Sequence, residues 1–272
     1  MVITETLRIS LLQADLKWHQ KQLNLKEVAQ KIKLLKGESD LLVLPEMFST
    51  GFTTDTTLAE EINGMTMQFL QAEADRNGIA IAGTFICVEK KKFYNRAFFI
   101  APDVPPVFYN KRHLFRMGVV EESAVLSTDC KPEKSLFTYK GWNIRMIVCY
   151  DLRFPVWNRN VNNEYDLLIC MASWPTSRIK VWDTLLMARA IENQCFVAAC
   201  NRVGTDGNEV GYNGHSQVIH PKGKLLADCR EELCVETVTI SKAELERFRV
   251  KFPVWKDADD FSILSAPIMS CR

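Results

Sequence analysis

The sequence has almost no excess of either charge: 34 lysines and arginines stand against 33 aspartates and glutamates, a formal net charge of +1. Such a balance gives no electrostatic reason to expect nucleic acid or an anionic membrane surface as partner. Long apolar runs are also missing. No segment approaches the roughly 18 uninterrupted apolar residues of a membrane span. The opening MVITETLRISLLQADLKWH carries Glu5, Arg8 and Asp15 where a secretion signal needs an apolar stretch, so a cytoplasmic setting is expected. Histidine is scarce, with four residues and no i,i+4 pair or neighbouring cysteine at ligand spacing, and no metal site is expected. There is no CxxC. The nine cysteines are odd in number and scattered, mostly in apolar runs such as LLICMA (Cys170) and CFVAAC (Cys195, Cys200). Reduced, buried thiols behaving as small hydrophobes are expected there. No linker rich in proline, glycine or serine and no internal repeat divides the chain, so a single domain is expected.

What is present is the composition of an ordinary globular protein, 47% hydrophobic and 25% charged. Strand-like and helical runs alternate. LRISLLQAD reads as a strand and is followed by a helix with Leu25, Val28, Ala29, Ile32 and Leu35 on one face, stopped at Gly37. DLLVLPE is a short apolar strand ended by proline, and a second helix carries Met67, Leu70 and Ala74 up to Gly78. IAIAGTFICVE and KFYNRAFFIAP flank a solvated turn at Lys90, Lys91 and Lys92 as a hairpin. WNIRMIVC, YDLLICMAS, CFVAACNRVG and HSQVIHPKGKLLAD continue as strands. VWDTLLMARAIENQ reads as a helix with Val181, Leu185 and Ala188 on its buried face. Continuous aliphatic strands between helices imply α/β architecture with packed sheets, and the hairpins demand antiparallel pairs.

Three of these runs deliver a reactive side chain. DLLVLPE ends on Glu46 and IRMIVC ends on Cys149, while Lys111 lies in FYNKRHLF, just past the KFYNRAFFIAP strand. Ligands of layered α/β proteins gather beyond the carboxyl ends of strands. A free thiol is mostly protonated at neutral pH and needs a base; a glutamate held in a dry site can serve. An ammonium and the backbone N–H of Tyr150 could face negative charge developing on a carbonyl oxygen. Singly, each residue has a commoner role, as core thiol, turn cap or surface lysine; the set carries the weight.

LPEMF, YNKRHLF and VCYDLRFP, in this order, resemble the signature segments of the nitrilase superfamily of carbon–nitrogen hydrolases. The resemblance runs from about Leu7 to beyond Pro253, taking in MARAIENQ and NGHSQVIHPKG, and leaves a short C-terminal extension to a domain spanning 1–272. It implies a four-layer αββα sandwich, a homodimer, and a small-molecule amide as substrate with no cofactor. It also implies Glu46 as general base, Lys111 as oxyanion and positioning group, Cys149 as nucleophile and Glu122, in VEESAVLSTD, as a second glutamate. CYDLRFP with MASWP is most similar to the omega-amidase branch, which cleaves the terminal amide of 2-oxoglutaramate and 2-oxosuccinamate. A carboxylate at the far end of such a substrate calls for a guanidinium, and Arg153 and Arg178 are the candidates. Phe115, Met117 and Trp174 are candidate apolar walls. The alternatives are an N-carbamyl or aliphatic amide specificity, a Cys–His enzyme pairing Cys149 with His113 or His215, and a non-catalytic scaffold.

Overall fold

Side-chain alternation along the strands decides how this chain layers. The computed structural model of the protein describes residues 5–117, 121–129 and 133–263. Its first half forms β1 (Thr6–Gln13), α1 (Lys21–Leu34), β2 (Leu41–Val43), α2 (Met65–Asn77), β3 (Ala80–Glu89), β4 (Lys92–Ala101) and β5 (Val104–Asn110). The second half forms β6 (Ser135–Tyr139), β7 (Trp142–Val148), α3 (Pro155–Asn158), β8 (Leu167–Met171), α4 (Ile179–Glu192) and β9 (Phe196–Cys200). A small hairpin, β10 (Val203–Thr205) and β11 (Gly211–Asn213), precedes β12 (Gln217–Ile219), β13 (Leu225–Asp228), β14 (Cys234–Ser241) and α5 (Lys242–Lys251).

Two six-stranded mixed sheets result, ordered β14-β1-β2-β3-β4-β5 and β13-β12-β9-β8-β7-β6. In each, three central strands run parallel: β1, β2 and β3 in one, β7, β8 and β9 in the other. Successive strand residues point to opposite faces. Leu7, Ile9 and Leu11 therefore meet Ile144, Met146 and Val148 between the sheets. Leu42, Ile81 and Phe98 face the other way, onto Leu25, Val28 and Ile32 of α1 and Leu70 of α2. Ile147, Leu168 and Val197 do the same onto Trp182 and Leu186 of α4. The layers are helix, sheet, sheet, helix, the expected αββα sandwich. No helix among the described residues is long and apolar enough to cross a membrane. Of the expected C-terminal extension, residues 264–272 lie outside the described residues.

Asp40 ties the layers together at one end. It accepts from Arg8 N and Nε at 2.9 and 3.1 Å, and from Lys140 Nζ at 2.6 Å in the turn between β6 and β7. Burial pushes the Asp40 carboxyl up, but the Arg8 and Lys140 donors outweigh it and hold it at about 2.

Two expectations need correction. The buried face of α4 is Trp182, Leu186, Arg189 and Ala190, whereas Val181, Leu185 and Ala188 are half-buried. Lys111 does not follow the KFYNRAFFIAP strand directly, because β5 intervenes. Pro105 and Pro106 hide that strand in the sequence, yet β5 is the edge of its sheet, where proline's missing donor is tolerated.

Candidate active site

The apolar run of β7 stops at Val148, and Cys149 takes a left-handed backbone with φ +43°. A non-glycine residue there is strained by roughly 1–3 kcal/mol and persists only when its surroundings hold it. Asp151 does the holding. Its Oδ2 accepts from Val148 N at 3.1 Å and from Tyr109 Oη at 2.8 Å. Its Oδ1 accepts from the His113 backbone N at 2.9 Å and lies 2.8 Å from His113 Nδ1. One buried carboxylate thus clamps the turn carrying Cys149 to the segment that flanks Lys111 on both sides.

Lys111 leaves the end of β5 with its backbone N on Asn95 O at 2.9 Å. Its ammonium, 1% exposed, donates to Glu46 Oε1 at 2.8 Å and Glu122 Oε2 at 2.6 Å, both glutamates being fully buried. Burial alone would strip the Lys111 proton, but Glu122 and Glu46 outweigh it and hold the group well above the usual lysine range. Glu122 is pushed up by burial and by Glu46, against the pull of Lys111. The Phe115 backbone N fixes Glu122 Oε2 at 2.8 Å.

Glu46 lies beyond β2 and reaches across to the second sheet. Its backbone N donates to Ala172 O at 3.2 Å, and its Oε2 accepts from Ser173 N at 2.8 Å. Cys149 Sγ lies 3.9 Å from Ser173 O, so sulfur and carboxylate converge at one residue after β8. Burial, then the nearby Glu46 charge, pushes the Cys149 thiol well above its ordinary value despite Lys111. A thiol so placed holds its proton until a base takes it. The two Glu46 oxygens differ: Oε1 already accepts from Lys111 and Asn95, whereas among the described residues Oε2 accepts only from Ser173 N. A carboxylate oxygen offers about two lone-pair sites, so Oε2 is the one left open to a proton.

Lys111, Cys149 and Ser173 line a cavity of about 510 Å³, whereas Glu46 and Glu122 are fully buried and do not line it. Every residue expected to meet substrate lines it: Phe115, Tyr150, Arg153, Trp174 and Arg178, with Met117 beside them. The Arg153 guanidinium lies over Trp174 at 5.0 Å and Arg178 over Phe115 at 5.3 Å, and Trp174 Nε1 donates to Arg178 O at 2.9 Å. Among the described residues neither arginine forms an ion pair with a carboxylate. The Cys–His alternative is overturned by position. His113 stacks on Phe154 at 3.6 Å beside Asp151, His215 lies 3.1 Å from Asp183, and neither lines the cavity.

Asn95, Ser173, Phe52 and Tyr212 escaped the sequence reading. Phe52 and Tyr212 add aromatic wall, and Tyr212 Oη is anchored on Asp206 at 2.8 Å. Asn95 alone had a visible signal: it shares the strand parity of Ala97, Phe99 and Ala101, which puts an amide on the core-facing side of β4.

The carbon-nitrogen hydrolase family model matches residues 8–250. An omega-amidase, YafV, of Escherichia coli (strain B / BL21-DE3) is 40% identical over 259 residues, covering 94% of this chain and 98% of its own. A 2-oxoglutaramate amidase of Bacillus subtilis is 33% identical over 254 residues, covering 92% and 96%. Among solved structures, XC1258 of Xanthomonas campestris, a CN-hydrolase superfamily protein with an arsenic adduct in its active site, superposes with a TM-score of 0.91 at 40% identity, covering 96% of this chain and all of that one. Saccharomyces cerevisiae Nit3, at 24% identity and TM-score 0.81, covering 93% and 97%, shares the fold.

Proposed function

From the premise that this chain belongs to the carbon-nitrogen hydrolase family, and so hydrolyses amides, we propose that it is an omega-amidase. Its substrates are short keto-dicarboxylate monoamides such as 2-oxoglutaramate and 2-oxosuccinamate. The similarity to an omega-amidase and a 2-oxoglutaramate amidase over most of the chain supports the reading. The observation that carries the substrate class is the pair Arg153 and Arg178. Two guanidiniums backed by aromatic faces, without a carboxylate partner among the described residues, fit a substrate that brings its own carboxylate.

The geometry supports the following chemistry. Cys149 Sγ attacks the amide carbon as Glu46 Oε2 takes the thiol proton. The oxyanion faces the buried Lys111 ammonium and the Tyr150 N–H. Collapse breaks the C–N bond, Glu46 returns its proton to the nitrogen, and ammonia leaves a thioester on Cys149. Water then attacks the thioester carbon with Glu46 as base. The second tetrahedral species expels the thiolate, which recovers its proton from Glu46 as the acid is released. Glu122 keeps Lys111 in place throughout. The scheme calls on no metal or organic cofactor.

We also read the protein as a cytoplasmic homodimer. The unpaired cysteines, mostly buried among the described residues, suit a reducing compartment. The exposed side of α4 supports self-association: Ile191 is 50% exposed, and Val181 and Leu185, although they touch the core below, are with Ala188 only half-buried. A helix apolar on nearly every side expects cover on every side.

Ammonia release decides the substrate. The intact protein is expected to release it from 2-oxoglutaramate, and Cys149→Ala to abolish that release. Turnover of an N-carbamyl amino acid or an aliphatic amide with 2-oxoglutaramate inert overturns the omega-amidase reading while leaving the hydrolase.

A further inference from the structure

Asn95 is fully buried in the middle of β4 and does not line the cavity. Its Nδ2 donates to Glu46 Oε1 at 2.7 Å and to Glu122 Oε1 at 3.0 Å, so both amide hydrogens are given to two carboxylates that share one ammonium. The opposite end of the amide is unanswered. Asn95 Oδ1 is buried and accepts no hydrogen bond among the described residues. A buried acceptor left without a donor costs about 1–3 kcal/mol. Turning the amide over would aim its oxygen at the two carboxylates and take both hydrogen bonds from them. An arrangement that keeps the orphan is one in which the carboxylates dictate the amide.

We propose that Asn95 is a positioning residue for the proton-transferring glutamate: it couples Glu46 to Glu122 and, with Lys111, fills Oε1, confining proton exchange with Cys149 to Oε2. The proposal deepens the function given above and depends on its assignment of Glu46 as base and Cys149 as nucleophile. Other groups act on the pair of glutamates from neighbouring elements: Lys111 beyond β5, Cys149 beyond β7, Cys170 on β8 and Tyr212 on β11. Losing a donor shared by both carboxylates favours their protonated form, which moves the acidic limb of any reaction needing the free base to higher pH.

The test uses Asn95→Leu and Asn95→Ala, which both remove the donors without adding a charge beside the two carboxylates. Two profiles against pH are measured: kcat with 2-oxoglutaramate, and the rate at which iodoacetamide alkylates Cys149, read by mass spectrometry. Each folded variant is expected to lose about tenfold to a hundredfold in kcat, the worth of a hydrogen bond to a charged group. KM stays within about threefold, because Asn95 does not face substrate. The acidic limb of both profiles moves to higher pH. A folded variant with kcat retained and the limb unmoved overturns the proposal, and the alanine variant decides if the leucine variant does not fold. The alkylation profile needs no amide. A wild-type protein inert toward 2-oxoglutaramate would therefore end the substrate reading, while a shifted alkylation limb would still uphold the role of Asn95.

Discussion

Arg153 and Arg178 carry their charges into the cavity on aromatic supports, and each stacking is worth roughly 0.5–2 kcal/mol in holding the side chain ready. If one of them grips the substrate carboxylate, its replacement by methionine raises KM for 2-oxoglutaramate about tenfold to a hundredfold, the cost of a lost charge-assisted bond. An uncharged amide of equal length is expected to be unaffected. Steady-state kinetics on the two single variants will rank the arginines, and an unchanged KM in both would remove the carboxylate assignment. At this scale the site was half legible. Glu46 and Cys149 were visible because each ends an apolar run, Lys111 because it follows a strand, and Glu122 came through the family resemblance. Ser173, Phe52 and Tyr212 were not, because a serine after an apolar strand, an aromatic in a loop and an aromatic in a three-residue strand have no spacing that separates a site from a core.

Among the elements, phase and edges were hardest to read. The α4 sequence IKVWDTLLMARAIE has apolar residues on nearly every side, so its periodicity does not choose between Val181–Leu185–Ala188 and Trp182–Leu186–Ala190. Packing against β8 and β9 chooses the second. The strands of the central parallel runs were legible because burial on both faces makes them continuously aliphatic. The end of β1 depends on Asp40 in a way that pH exposes. Its carboxyl is held at about 2, below the ordinary value of 3.8, so the fold favours the ionised form. The stabilisation is present above about pH 4 and is lost as pH falls toward 2. Asp40→Asn is therefore expected to lower stability at pH 7 by about 1 kcal/mol after solvent screening. The gap to wild type should close on acidification, as thermal melts at several pH values will show; a gap independent of pH would mean that the charge contributes nothing.

For the whole molecule, the outer surface of α4 and the placement of the site across two sheets matter most. Leu185→Glu with Ile191→Glu is expected to convert a dimer to a monomer by sedimentation velocity, since two carboxylates in an apolar contact each lose their hydration. A wild-type protein that sediments as a monomer at every concentration would dispose of that interface.

The lysine, both glutamates and Asn95 belong to one slab of the sandwich, while the sulfur and Ser173 belong to the other. Among the described residues, the bonds of Glu46 to Ala172 and Ser173 and those of Asp151 to Tyr109 and His113 stitch the proposed base and nucleophile across the seam. A slip of one slab past its neighbour by about an ångström, enough to cost a hundredfold in rate, would part the proton's donor from its acceptor while the oily interior stayed shut. Such a molecule would be whole by every measure of shape and silent as a catalyst.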